Sequence, residues 1–192
     1  MKKADANKIL SDSSFTDDLA PFYESTLVPL IFESYAEDLA SRAKKLNPDS
    51  VLEVACGTGV VTRALSTVLP DHCSITSTDL NDAMINHAEK IGTCREVIWE
   101  QADVMALPYD DETFDVVVCQ FSTMFFPDRI LAYQEICRVL KSGGKFLFSI
   151  WNGLEVNDFA RAVMDAVTDL FPENPPEFLS RTPYGHGNPD EI

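Results

Sequence analysis

One stretch constrains the fold more than any other: Val51-Leu52-Glu53-Val54-Ala55-Cys56-Gly57-Thr58-Gly59-Val60-Val61-Thr62. A short apolar run, Val51–Ala55, reads as a buried strand. A glycine turn follows, and then a helix over Thr62–Leu69 with Leu65, Val68 and Leu69 on one face. Gly57 and Gly59 lack a Cβ, so the turn can be tight and a ligand can lie directly against the backbone. In an open α/β sheet, ligands bind at the carboxyl ends of the strands, where the strand order reverses. Taken alone, the turn is weak evidence, because a plain strand-to-helix connection that binds nothing can have the same form.

The rest of the chain repeats this alternation. A helical pattern runs from Pro21 to Lys45, with Phe22, Leu27, Leu30, Ile31, Tyr35 and Leu39 recurring at three- and four-residue steps, and Asn47-Pro48-Asp49 breaks it. Ser74–Asp79 reads as a second strand. The next helix carries Met84, Ile85, Ala88 and Ile91, with Asn81 or Asp82 as its cap. Glu96–Gln101 is a weaker third strand and Phe114–Cys119 a strong fourth. A helix over Pro127–Leu140 places Ile130, Tyr133, Cys137 and Leu140 in register, and Lys141-Ser142-Gly143-Gly144 ends it. Lys145–Trp151 is a fifth strand. Asp158–Leu170 is a last helix with Phe159, Val163, Val167 and Leu170 on its face. Near-continuous apolar strands alternating with helices predict a parallel sheet covered on both faces. The expected organisation is a helical cap over 1–46, the sheet domain over 47–170 and an irregular tail over 171–192.

At 192 residues, with 45% hydrophobic and 24% charged side chains, the chain suits one globular domain. A net charge of -16, from 31 acidic and 15 basic side chains, opposes a nucleic-acid partner. No apolar run approaches the roughly 18 residues of a membrane span, and the first residues carry no apolar signal core. The expected location is therefore cytoplasmic, without membrane insertion. Cys56, Cys73, Cys94, Cys119 and Cys137 form no CxxC pair and have no histidine at ligand spacing, so reduced thiols and no metal site are expected. His72, His87 and His186 are scattered, with His87 expected on an exposed helix face.

Asp79 closes the second strand, 20 residues beyond Gly59. An acidic side chain there can accept hydrogen bonds from both hydroxyls of a ribose, although a capping or turn role is the commoner one for a lone Asp. Loop and Asp together indicate a nucleoside ligand. The dinucleotide fingerprint asks for a third glycine at the position of Thr62. Glu53 beside the turn repels a pyrophosphate but suits a ligand carrying an ammonium group.

Several further segments extend this pattern in order: Thr78-Asp79-Leu80-Asn81-Asp82-Ala83-Met84-Ile85, Asp103-Val104-Met105-Ala106-Leu107-Pro108-Tyr109, Phe114-Asp115-Val116-Val117-Val118, and Arg138-Val139-Leu140-Lys141-Ser142-Gly143-Gly144-Lys145. With the glycine loop, they resemble the class I S-adenosylmethionine (SAM) dependent methyltransferases over about Val51–Trp151, and within them the small-molecule enzymes akin to the ubiquinone and menaquinone C-methyltransferases. The resemblance implies a Rossmann-like, doubly wound, mostly parallel sheet of order 3-2-1-4-5 with helices on both faces and an N-terminal helical cap. It implies that Glu53, Ala55, Gly57 and Gly59 surround the methionine end of SAM. Asp79 then takes the ribose, and Leu80 and Met84 pack near the adenine. Asp103 and the Val104 N–H meet the adenine edge, and Gln120 lies near the transferring methyl. Two departures stand out: Ala55 replaces the family's first glycine, and the two usual C-terminal strands are missing after the last helix. The second leaves the fifth strand as an open edge and predicts a homo-oligomer.

The implied reaction moves a methyl group from SAM to a small-molecule acceptor by in-line displacement. The methyl is already activated, so no catalytic base is assigned. Phe121, Met124, Phe125 and Phe126 are read either as an acceptor wall or as core, and Phe22 and Tyr23 either as a lid or as cap packing. Two alternatives stay open: a noncatalytic or incomplete SAM-binding module, and a nicotinamide-dependent oxidoreductase.

Overall fold

The computed structural model describes residues 19–185. Of these, 19–120 and 128–149 form a larger unit, and 121–127 with 150–185 a smaller one.

The larger unit opens on one helical rod in three parts: α1 (Leu19–Phe22), a π-helical segment (Tyr23–Phe32) and α2 (Glu33–Lys45). Arg42, Lys44 and Lys45 fill the last turn of α2, where cations offset the helix dipole. The chain then alternates through β1 (Ser50–Val54), α3 (Val60–Val68), β2 (Ser74–Asp79), α4 (Asp82–Ile91), β3 (Ile98–Gln101), β4 (Phe114–Gln120), α5 (Arg129–Val139) and β5 (Leu140–Ser149). The sheet has the order β3-β2-β1-β4-β5, and every neighbouring pair is parallel. This is the Rossmann-like, doubly wound arrangement that the alternation and the resemblance imply.

Strand alternation divides the core. Val51, Ile75, Val116, Val118 and Leu147 pack with Ala36, Leu39, Ala40 and Ala43 of α2 and Val61 and Leu65 of α3. On the opposite face, Tyr133 of α5 meets Phe146 and Phe148, which flank Leu147 in β5. Gln120 pairs with Ser149 and Glu53 with Ser77 across the sheet, so these polar groups lie on the α2/α3 face, beyond the apolar rows.

Three expectations for this larger unit need correction. The face of α5 is only partly the expected Ile130, Tyr133, Cys137 and Leu140: Tyr133 meets the sheet, but Ile130 and Cys137 are exposed, Leu140 opens β5, and the buried residues are Ala132, Ile136 and Val139. A long side chain attracted the apolar pattern, whereas the helix approaches the sheet on a row that includes small Ala132. Lys141–Gly144 is not a turn separating helix from strand. Leu140 already pairs with Phe114, and the glycines form an irregularity inside β5, with Gly143 at φ +83°. His87 is half-buried rather than exposed.

The smaller unit holds a 3₁₀ turn (Thr123–Phe125), a second one (Leu154–Val156), α6 (Asp158–Leu170) and α7 (Phe178–Arg181). The bounds of α6 match the sequence reading, but its face does not: Ala160 is buried and Val163 and Val167 are half-buried, while Phe159 and Leu170 point to solvent. The short α7 falls in the stretch read as irregular. His186 lies outside the described residues.

Candidate functional site

The carboxyl ends of β1, β2, β3 and β4 open on one side of the parallel sheet, and the glycine loop crosses this end between β1 and α3. Three of its residues adopt left-handed backbone: Ala55 at φ +56°, Gly57 at +55° and Gly59 at +82°. Ala55 therefore occupies a conformation that a glycine adopts without strain.

The two glycines do different work. A Cβ built on Gly57 would meet nothing within 4 Å among the described residues, which leave this side of the loop open. A Cβ on Gly59 would come within 3.0 Å of the Ala88 Cβ and 3.1 Å of the Trp99 ring, so Gly59 lets α3 begin close against α4 and β3. The loop is thus open at Gly57 and closely packed at Gly59.

Asp79 ends β2 beside this opening. The Gly57 N–H donates to its Oδ2 at 2.8 Å, and the Asn81 N–H donates to its Oδ1 at 2.9 Å. Burial pushes the Asp79 carboxyl up, against the pull of these backbone donors. The adjoining Asn81 caps α4 by accepting from the Ala83 N–H at 2.8 Å. Asp79 thus fixes the loop, and each of its oxygens keeps further lone-pair capacity for a ligand hydroxyl.

Glu53 is buried, 2% exposed. Its Oε2 accepts from the Thr62 hydroxyl at 2.6 Å and the Ser77 hydroxyl at 3.1 Å. Burial raises its carboxyl to about 7 despite these donors. Sequence reasoning named Glu53 but missed both partners. Thr62, already singled out as the absent third glycine, lies in the first turn of α3, and Ser77 shares the sheet face of Asp79. Beside them, the buried Cys56 thiol is pushed well up by burial and by the Glu53 and Asp79 charges, so it is an inert neighbour.

The other named positions fall as follows. Met84 is buried on α4 and Leu80 is exposed just past β2. Asp103 and Val104 are half-buried after β3, and the Asp103 carboxylate accepts from the Met105 N–H at 2.8 Å. Gln120 ends β4, and its Nε2 donates to the Phe32 carbonyl at 3.2 Å. The N-terminal rod therefore touches the site. Tyr23 stacks on Phe32 at 5.2 Å, and its phenol is pushed up by burial first and then by the charges of Asp79 and Glu24. Phe22, in contrast, is exposed.

In the smaller unit, Phe121, Met124 and Phe126 are buried and Phe125 is half-buried. Phe121 holds φ +51° and stacks on Trp151 with ring centroids 3.9 Å apart. Among the described residues there is no group of three or more metal-ligating side chains. No helix among them is long and apolar enough to cross a membrane.

The fold is a Rossmann-like domain whose glycine loop and Asp79 meet at the carboxyl end of the parallel sheet. Residues 52–148 match the methyltransferase-domain family, just over half of the chain, and the chain belongs to that family. It is 35% identical over 118 residues to a demethylmenaquinone methyltransferase of Shouchella clausii, covering 60% of this chain and 50% of the relative. It is also 35% identical over 125 residues to a ubiquinone/menaquinone biosynthesis C-methyltransferase of Saccharophagus degradans, covering 63% and 48%. The chain thus spans about half the length of these curated relatives. Among solved structures, a SAM-dependent methyltransferase of Methanococcus maripaludis superposes with a TM-score of 0.65 at 25% identity, over 84% of this chain and 76% of that one.

Proposed function

We propose that the chain binds SAM and transfers its methyl group to a small aromatic acceptor of the quinone-precursor kind. The observation that carries the reading is the pairing of an open Gly57 backbone with Asp79, both held at the carboxyl end of the sheet. SAM supplies a sulfonium methyl already activated for displacement, which leaves the protein to bind and align. Gly57 gives close access to the backbone, and Asp79 accepts from the ribose hydroxyls. Glu53, its carboxyl raised by burial to about 7, is ionised in part at neutral pH, and in that form favours an ammonium group nearby. Leu80 and Met84 line the base, Asp103 and the Val104 N–H hydrogen-bond its edge, and Gln120 borders the reacting end. The curated relatives, by name, support the acceptor class.

Titration calorimetry with S-adenosylhomocysteine, with NAD in parallel, tests this reading. Saturable binding of the first alone is expected; binding of NAD alone, or of neither, overturns it. Asp79→Ala weakens the binding by about 1–3 kcal/mol, the scale of a lost charge-assisted hydrogen bond. An unchanged dissociation constant removes Asp79 from the site.

A further inference from the structure

We propose that Arg63 is a positioning residue that couples the glycine loop to the N-terminal rod, so that the two order together when the nucleoside site fills. This rests on the reading of the loop as the SAM site.

Arg63 lies in the first turn of α3 and reaches in two directions. Its Nη1 donates to the Thr58 carbonyl at 2.7 Å, in the middle of the glycine loop. Its Nη2 donates to Glu24 Oε1 at 2.5 Å, in the π-helical segment. The planar guanidinium can hold two acceptors in fixed directions at once, which a lysine cannot do. With Asp79 bound to the Gly57 N–H, the loop is tied at two successive residues. On the far side, Glu24 Oε2 is buried without a hydrogen-bond partner among the described residues, so within them the Glu24 charge is balanced by Arg63.

Along this stretch the rod is not in continuous contact with α3. A groove of about 790 Å³ separates it from α3, with Val28, Ala36, Val60 and Ala64 among its lining residues. Pro29 removes one backbone donor inside the π-helical segment. π-Helical geometry is rare and recurs at functional sites. Arg63–Glu24 and Gln120–Phe32 are thus two polar ties between this segment and the loop end of the sheet.

Breaking the first tie should free both partners. Hydrogen exchange on the unliganded protein is expected to rise more than tenfold at Tyr23–Phe32 and at residues 56–59 in Arg63→Ala. Glu24→Gln should raise it in the rod segment only. Arg63→Lys should recover the rod segment and leave the loop fast, because an ammonium is a compact point charge without the two separated nitrogens that reach both acceptors. Binding of S-adenosylhomocysteine should fall about tenfold or more in Arg63→Ala and less in Glu24→Gln. Unchanged exchange at both segments in Arg63→Ala overturns the proposal, as does exchange raised in only one of them. If Arg63→Ala does not fold, Glu24→Gln decides: unchanged exchange over Tyr23–Phe32 overturns it. A wild-type chain that binds no S-adenosylhomocysteine overturns the SAM reading, and the exchange measurements still decide the coupling.

Discussion

A carboxyl group buried as deeply as Glu53 records a compromise between burial and two hydroxyl donors. Its folded value, raised to about 7 from an ordinary 4.5, makes the protonated form the favoured one in the folded chain. Its contribution to stability is therefore fully present below about pH 4.5 and is lost as pH rises through about 7. Glu53→Gln keeps the shape and removes the titration. The variant should show a melting temperature that declines less between pH 5 and 8 than that of the parent, and parallel curves would locate the titration elsewhere. At this scale the sequence was partly legible. Glu53, Gly57 and Asp79 were named from a spacing that reflects chemistry: a strand end, a tight turn and an acid at the next strand end. Arg63, Thr62 and Ser77 were not legible as a network. Their roles depend on side chains meeting across β1, β2 and α3, and no spacing along one element encodes such a meeting.

Elements were read most reliably where their bounds have a local cause. β2 and α6 match residue for residue, the first set off by flanking polar residues and the second by an unbroken helical run. The faces of α5 and α6 were misread because large apolar side chains dominate a periodicity count, whereas close packing favours small ones such as Ala132 and Ala160. The amino ends of the strands hold a feature that the pattern hid. Asp115 of β4 accepts from the Asp49 N–H at 3.0 Å, the Ser50 N–H at 2.9 Å and the Ser50 hydroxyl at 2.9 Å, and Lys141 of β5 pairs with it at 2.9 Å. Burial opposes the charge, yet the Lys141 and Ser50 contacts outweigh it and hold the carboxyl below its ordinary range. This clasp joins β1, β4 and β5 at the end of the sheet remote from the glycine loop. Asp115→Ala strands two backbone donors and should destabilise the fold by about 2–3 kcal/mol in urea unfolding. Because the folded value is depressed, the clasp contributes above the unfolded carboxylate range, and its contribution is lost as pH falls through the folded value. The difference between parent and variant should accordingly shrink in acid, while binding of S-adenosylhomocysteine at neutral pH stays unchanged.

At the scale of the whole molecule, sheet topology and net charge pull in opposite directions. β5 is ten residues long and, among the described residues, pairs with β4 alone. Its outer row of backbone groups is a template for another strand. The stacked rings of Phe146 and Phe148, 4.8 Å apart, place an aromatic surface beside that edge. Against association stands the net charge of -16, which repels a second copy over distances set by ionic strength. The Debye length is about 30 Å at 0.01 M salt and about 8 Å at 0.15 M, so the repulsion spans the contact in the first case and is largely screened in the second. The isolated 192-residue chain should therefore be monomeric by light scattering at low salt and shift to a dimer as salt rises. Phe148→Lys sets a charge beside the edge, the device by which natural sheets block such pairing, and should keep the chain monomeric throughout. A parent chain that stays monomeric at high salt would mean that the edge is already blunted, with the irregularity at Gly143 and Gly144 as the feature that bends it away. A dimer unaffected by Phe148→Lys would move the contact to another surface, of which the solvent-facing Phe159 and Leu170 of α6 are the first to replace.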